Sequence, residues 1–473
     1  MKRRLLPCIG AIMLLGSGDA LAGGLQVSDR GVRPLGRGGA FVAGADDLGA
    51  IWYNPAGIAE AGTSMFADVN FVFFSGDFQR QTMVTDQDGN QFVRNFESVH
   101  GKNKFLPLPT GALSYNFGRQ KQYTVAIGAM APQAMATSWP ENGPQRYTLI
   151  DQSGSIVTFL GAWFGWKAKE WLQIGGGPMV FTGFYNARIT FNANPRDRLL
   201  GAPEDPSYDA RGQNNAGLIF APGANLGVIV KPEKHVRIGI SGQTPFQIHA
   251  PASLKLQLPG AAPFDDASVR GDDATLRFRL PWAFRAGVEV RPIADLKVEV
   301  AWVHDFWGSS SDLVVQPESV NLYGIKGFPS PYAVSPIKIP LGFNDTNSFR
   351  FGAEYRIHQP LRRWIEGVDL DIEPRAGFMW DPAAAQNAYL SVLAFDLDRC
   401  HLSFGGSIHI GEHIRLDALY MHSFLFSQDV DPRVAAVPGI NPVAGNPTSL
   451  QAVNGGHYSA SMNTFGVGGN YRF

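Results

Sequence analysis

The stretch VDLDIEPRAGFMWD, residues 368–381, sorts its side chains by parity. Val368, Leu370, Ile372, Pro374, Ala376, Phe378 and Trp380 make one face. Asp369, Asp371, Glu373, Arg375, Gly377, Met379 and Asp381 make the other. A period of two is that of a β-strand. Seven alternating positions outrun the usual strand of about five or six residues. The sorting recurs in 275–291, where Leu276, Phe278, Leu280, Trp282, Phe284, Ala286, Val288 and Val290 oppose Arg277, Arg279, Arg285, Glu289 and Arg291. It recurs again in 348–358, where Phe349, Phe351, Ala353, Tyr355 and Ile357 oppose Arg350, Gly352, Glu354, Arg356 and His358. A soluble sandwich also alternates. The length of these faces, and the Trp, Tyr and Phe that bound them, favour strands that cross a membrane.

Working outward, fourteen such segments are expected, near 63–75, 108–118, 123–135, 153–168, 171–192, 216–231, 236–258, 272–291, 296–307, 346–358, 368–381, 400–410, 413–427 and 457–473. Connections after the odd-numbered segments are long. Those after the even-numbered ones are mostly tight, as at 118–122, 169–170, 232–235, 292–295 and 411–412; only 359–367 is longer. Long loops alternating with short turns, on an even number of strands, are the plan of an outer-membrane barrel. The expected fold is therefore all-β, a 14-stranded antiparallel transmembrane β-barrel. The chain closes on 458–473, with Phe465, Val467, Tyr471 and Phe473 on one face.

Composition agrees. Of 473 residues, 17% are charged, below the usual share of about 25%. A net charge of -1 offers no global basic field for nucleic acid. Lys2, Arg3 and Arg4 precede an apolar run from Leu5 to Leu15 and an Ala20-Leu21-Ala22 site, so residues 1–22 read as a signal peptide cut after Ala22. Beyond it no apolar run of about 18 residues occurs, so a membrane form must be a closed barrel. Cleavage would leave Cys400 as the one thiol. H-E-x-x-H, G-x-S-x-G and paired C-x-x-C patterns are absent, so no enzyme, cofactor or metal is expected. His401, His409, His413 and His422 fall on neighbouring strands and read as lumen or interface residues, with a metal site as the alternative.

Between leader and barrel lies an irregular glycine-rich stretch, 23–62, with neither strand nor helix period. It contains Gly23-Gly24-Leu25-Gln26, Leu35-Gly36-Arg37-Gly38-Gly39-Ala40-Phe41, Ala43-Gly44-Ala45-Asp46-Asp47 and Asn54-Pro55-Ala56-Gly57-Ile58. In order and spacing these resemble the FadL/TodX family of outer-membrane long-chain fatty acid and hydrocarbon transporters. The final Tyr471-Arg472-Phe473 also fits that family. The resemblance implies that 23–62 folds inward as an N-terminal hatch plugging a barrel of residues 63–473. It implies passive uptake of long-chain fatty acids or similar hydrophobic molecules through the cell outer membrane. Capture would occur at an extracellular apolar groove, transfer would be gated by the hatch, and exit would be lateral, at a kinked third strand. A channel for aromatic or aliphatic hydrocarbons is the alternative; an outer-membrane enzyme or adhesin is a third reading. The partners implied are the hydrophobic ligand, outer-membrane lipid and the barrel-insertion machinery, around a monomer.

Residue chemistry assigns candidates to these parts. Pro55 fixes its own φ and Asn54 can close an Asx turn. Asn54, Pro55, Ala56 and Gly57 are thus expected to form a rigid corner, with ligand contact as the alternative. Gly128 weakens the third strand and Pro132 removes a ladder donor. Together they mark a lateral gap, or else Pro132 ends the strand at the rim. Charges facing lipid near the midplane would cost several kcal/mol. Arg277, Arg279, Arg285, Glu289, Arg350, Glu354, Arg356, Asp369, Asp371, Glu373 and Arg375 are therefore expected in the lumen, as an ion-paired network holding the hatch. Arg279, Arg285 and Arg350 are the candidates for gripping a fatty carboxylate. Leu199, Leu200 and Phe264 mark candidate capture loops. The loop 308–344 is long and apolar enough to fold over the barrel mouth.

Overall fold

The computed structural model describes residues 26–27, 29–86, 88–103, 107–131, 133–134, 137–194, 205–310, 312–360, 369–441 and 448–473. Among them fourteen antiparallel strands close a barrel. They are β1 (Ser64–Thr85), β2 (Pro107–Phe117), β3 (Tyr123–Met130), β4 (Ile156–Lys169), β5 (Leu172–Asn192), β6 (Asp209–Glu233) and β7 (Val236–Gln243). The rest are β8 (Ala283–Ile293), β9 (Leu296–Asp305), β10 (Thr346–Tyr355), β11 (Leu370–Asp381), β12 (Arg399–Ile410), β13 (Ile414–Leu425) and β14 (Gly456–Arg472). Each pairs with its neighbour in the chain. β14 closes on β1 from Ser64 opposite Arg472 to Arg80 opposite Gly456, so no edge is left in the wall.

The alternation in β11 sorts as its sequence dictates. Glu373, Arg375, Gly377, Met379 and Asp381 are buried, while Pro374, Ala376 and Phe378 are exposed. Leu113, Ile127, Phe220, Leu226, Phe404 and Val467 are all exposed on other strands. Large apolar side chains outside and charges inside are the reverse of a soluble protein, and make the exterior a lipid face.

Three expectations are corrected. The segment 272–291 breaks at Pro281-Trp282: Asp273–Leu280 pairs with Phe246–Gln257, and β8 pairs with β7. Across the break the buried parity changes, from Leu276 and Leu280 to Ala283, Arg285, Gly287 and Glu289. A one-residue slip turns every side chain to the opposite face. Arg277 and Arg279 therefore lie on the outer face, opposite the exposed His249 and Gln247, and not in the lumen. The loop placed at 76–107 is largely strand, because β1 runs on to Thr85 against Gln91–Asn103. The third strand stops at Met130, short of residue 135.

Two sets of chain fill the barrel. From Asp29 to Ala59 every residue except Asp46 is buried. At the opposite end the 308–344 loop folds over the mouth, and Leu313, Val315, Leu322, Ile325, Ile337 and Phe343 join the main apolar cluster.

Candidate ligand channel and its inner segment

The inner segment is built from short pieces: helices Val32–Gly36 and Ala50–Tyr53 and a 3-10 turn Pro55–Glu60. Asn54 joins the last two. It is extended, with φ -156° and ψ 99°, and Pro55 takes the first position of the turn, where its missing N–H costs nothing. Asn54 Oδ1 accepts from the Ala56 N–H at 3.2 Å. Its Nδ2 donates to the Val42 carbonyl at 2.9 Å and to that of Val228, on β6, at 3.2 Å. One side chain thus ties the corner to itself, to the segment and to the wall. The wall meets it backbone to backbone: a Cβ added at Gly175 of β5 would lie 2.3 Å from the Pro55 carbonyl oxygen. On the far side, a Cβ at Gly377 of β11 would lie 2.0 Å from the Gly38 nitrogen.

Charge holds the segment as well. Arg33 pairs with Asp46 at 2.5 Å, Asp47 at 2.8 Å and Glu354 of β10 at 2.7 Å. Arg37 pairs with Glu289 at 3.0 Å and Glu299 at 3.2 Å. Glu299 also accepts the backbone N–H groups of Val42, Ala43 and Gly44 at 2.7, 2.9 and 2.9 Å. Glu299 is not among the lumen charges expected from sequence. Its signal is the inward parity it shares with Lys297, Ala301, Val303 and Asp305 on β9. Glu60 takes Arg237 at 2.9 Å and Lys231. Removing one partner from a buried pair strands the other charge, so the network resists piecemeal loosening.

On the side of the short turns, two polar cavities of about 360 and 510 Å³ flank the segment and share Asp46, Lys297, Arg356 and Glu373. The second also reaches His358, just past β10. Hydrogen bonds to Asp295 and then to Asp371 hold the His358 imidazole above its ordinary pKa. On the side of the loops the lining turns aromatic. Trp52 lies 5.2 Å from Phe159, which lies 5.0 Å from both Phe181 and Phe246.

The three candidate arginines have different places. Arg350 is buried, and its Nε donates to Asp29 at 2.7 Å, so it anchors the start of the inner segment. Arg279, on the outer face, reaches the Ser309 carbonyl at 3.5 Å among the described residues. Arg285 is 2% exposed, with its guanidinium 5.2 Å from the centre of the Trp52 ring. Its one hydrogen bond among the described residues is to Gln243, at 3.5 Å, and Nη1 has no partner there.

Gly128 sits in regular ladders, opposite Ala112 and Gly161. A Cβ there would come within 3.1 Å of Ile51 Cδ1, so its smallness admits the inner segment. Pro132 lies outside the described residues. On either side of it the chain changes partners: Met130 pairs with Phe159 of β4, whereas Gln133–Ala134 pairs with Gln26–Val27. Phe264 is buried in the main apolar cluster. Leu199 and Leu200 lie outside the described residues.

Comparison with known proteins agrees with this architecture. The family model for "Outer membrane protein transport protein (OMPP1/FadL/TodX)" matches residues 13–473. A FadL homologue from Pseudomonas aeruginosa superposes with a TM-score of 0.68 at 16% identity, covering 95% of this chain and 100% of its own. The toluene transporter TodX of P. putida gives 0.62 at 15%, covering 94% and 99%. The toluene transporter TbuX of Ralstonia pickettii gives 0.56 at 16%, covering 94% and 99%. No curated protein matches the chain in sequence.

Proposed function

The chain belongs to the OMPP1/FadL/TodX family of outer-membrane transport proteins, and from that premise we propose that its cargo is a long-chain fatty acid or a similar hydrophobic acid, admitted past residues 29–62 acting as a hatch. Arg285 carries this reading. A carboxylate moving through an apolar lumen needs a cation, because burying the bare charge is costly. Arg285 is a buried guanidinium beside Trp52, at the foot of the Phe159, Phe181 and Phe246 cluster, with Nη1 unpartnered among the described residues. Arginine can grip a carboxylate with two parallel hydrogen bonds. The change of partners around Pro132 supports exit at the third strand, where the wall ladder to β4 gives way to pairing with the N-terminal residues.

Ligands extracted from gently purified protein and identified by mass spectrometry test the assignment. The expected result is a long-chain acid with the wild type, depleted about tenfold or more in Arg285→Gln, since hydrogen bonds to charged groups contribute about 1.5–3 kcal/mol. Equal recovery of acid from both proteins would take Arg285 out of acid binding, and recovery of neutral hydrocarbon alone would leave the hydrocarbon channel.

A further inference from the structure

Between the aromatic cluster and the covering loop lies a third, smaller cavity of about 30 Å³. Tyr185, Phe191 and Asn214 line it from the wall strands, Leu254 from the strand beyond β7, and Val315 and Ile337 from the loop over the mouth. All but Tyr185 and Asn214 are apolar. Asn214 is 6% exposed, and among the described residues neither its Oδ1 nor its Nδ2 has a hydrogen-bond partner.

A buried amide without partners is destabilising, and natural cores rarely keep one without a reason. Leucine would fill much the same volume at no such cost. The cavity admits water-sized molecules. A water there would find few polar groups besides Asn214, and it would bury no chain against the apolar lining. An amphiphile would meet the amide with its head group and bury its chain against that lining. We propose that this cavity is a recognition site in which the Asn214 amide hydrogen-bonds a neutral head group that both donates and accepts, such as a protonated carboxylic acid or an alcohol, while the alkyl chain lies along the apolar lining. Among the described residues no arginine or lysine lines the cavity, so the head is read here by hydrogen bonding and not by charge. The inference rests on the reading of the lumen as a path for hydrophobic cargo, and it is independent of Arg285. A ligand longer than the cavity would run between the wall and the loop strands Leu313–Pro317 and Ile337–Ile339.

The test is equilibrium binding of radiolabelled 1-dodecanol and n-dodecane to the full-length barrel in nanodiscs, each corrected against empty nanodiscs. The wild type is expected to prefer the alcohol by about tenfold, the effect of one or two buried hydrogen bonds. Asn214→Leu is expected to bring that ratio near one without weakening dodecane binding, and to raise the thermal unfolding temperature, because it removes an unsatisfied amide. Arg285→Gln is expected to keep the alcohol preference. An unchanged ratio in Asn214→Leu, or a barrel destabilised by it, would overturn the proposal and make Asn214 structural. Equal wild-type binding of both probes would overturn this proposal and leave the reading of the lumen standing. Binding of neither would overturn the reading of the lumen and this proposal with it.

Discussion

Asn54 shows how much one side chain does here. Its bond to the Ala56 N–H is local, so that geometry can be read from an Asn-Pro pair; its bond to Val228, 174 residues away, cannot. Asn54→Ala deletes three hydrogen bonds, at about 1 kcal/mol each. The expected outcome is higher leak conductance in a planar bilayer with barrel assembly intact. Unchanged conductance would show that the corner does not hold the segment. The arginines make the complementary point. Each stands in a charged, alternating sequence, yet Arg350 is anchored to Asp29, Arg279 lies outside and Arg285 is left beside Trp52. What separates them is the identity of neighbours far away in the chain. Asn214 was illegible for the same reason: its apolar surroundings at Leu254, Val315 and Ile337 come from three other parts of the chain.

At the scale of elements, alternation was readable wherever one face met lipid and the other met charge, as in β11. It misled in 272–291 because large apolar residues occupy the same parity on both sides of Pro281-Trp282. Leu276 and Leu280 are apolar because they face the covering loop, whereas Val288 and Val290 are apolar because they face lipid. The pattern records apolarity, not which apolar environment is met. The wall glycines have a plainer logic, since they let the inner segment touch backbone. Gly175→Leu is expected to displace the Pro55 turn and raise leak conductance, while heat-modifiable gel mobility stays that of a closed barrel. Normal conductance in that variant would argue against the close contact. The tie after β10 gives a pH signature. His358 is held above its ordinary pKa by Asp295 and Asp371. Its contribution is full below the unfolded value of about 6.5 and is lost as pH rises through the raised folded value. Corrected for intrinsic rates, amide exchange at Ile357–Gln359 should therefore quicken as pH rises through that raised value. The pH dependence should vanish in His358→Gln; its persistence there would assign it to another group.

For the whole molecule, one order governs the parts. A lipid-facing barrel encloses a charged, glycine-lined half that grips residues 29–62, and an apolar half covered by the 308–344 loop. The fourteen-strand plan was legible from parity and from loop lengths, because both follow from crossing a bilayer. The boundary between the charged and apolar halves was not, because it depends on where the inner segment ends and the covering loop begins. On the proposed function, hydrophobic acid passes through this barrel under control of the inner segment. The most direct test is the initial uptake rate of labelled hexadecanoate by cells making the wild-type protein, Arg285→Gln, or none. Saturable uptake is expected with the wild type, reduced about tenfold or more by Arg285→Gln, and only slow, unsaturable entry without the protein. Equal uptake by cells with and without the protein would contradict it.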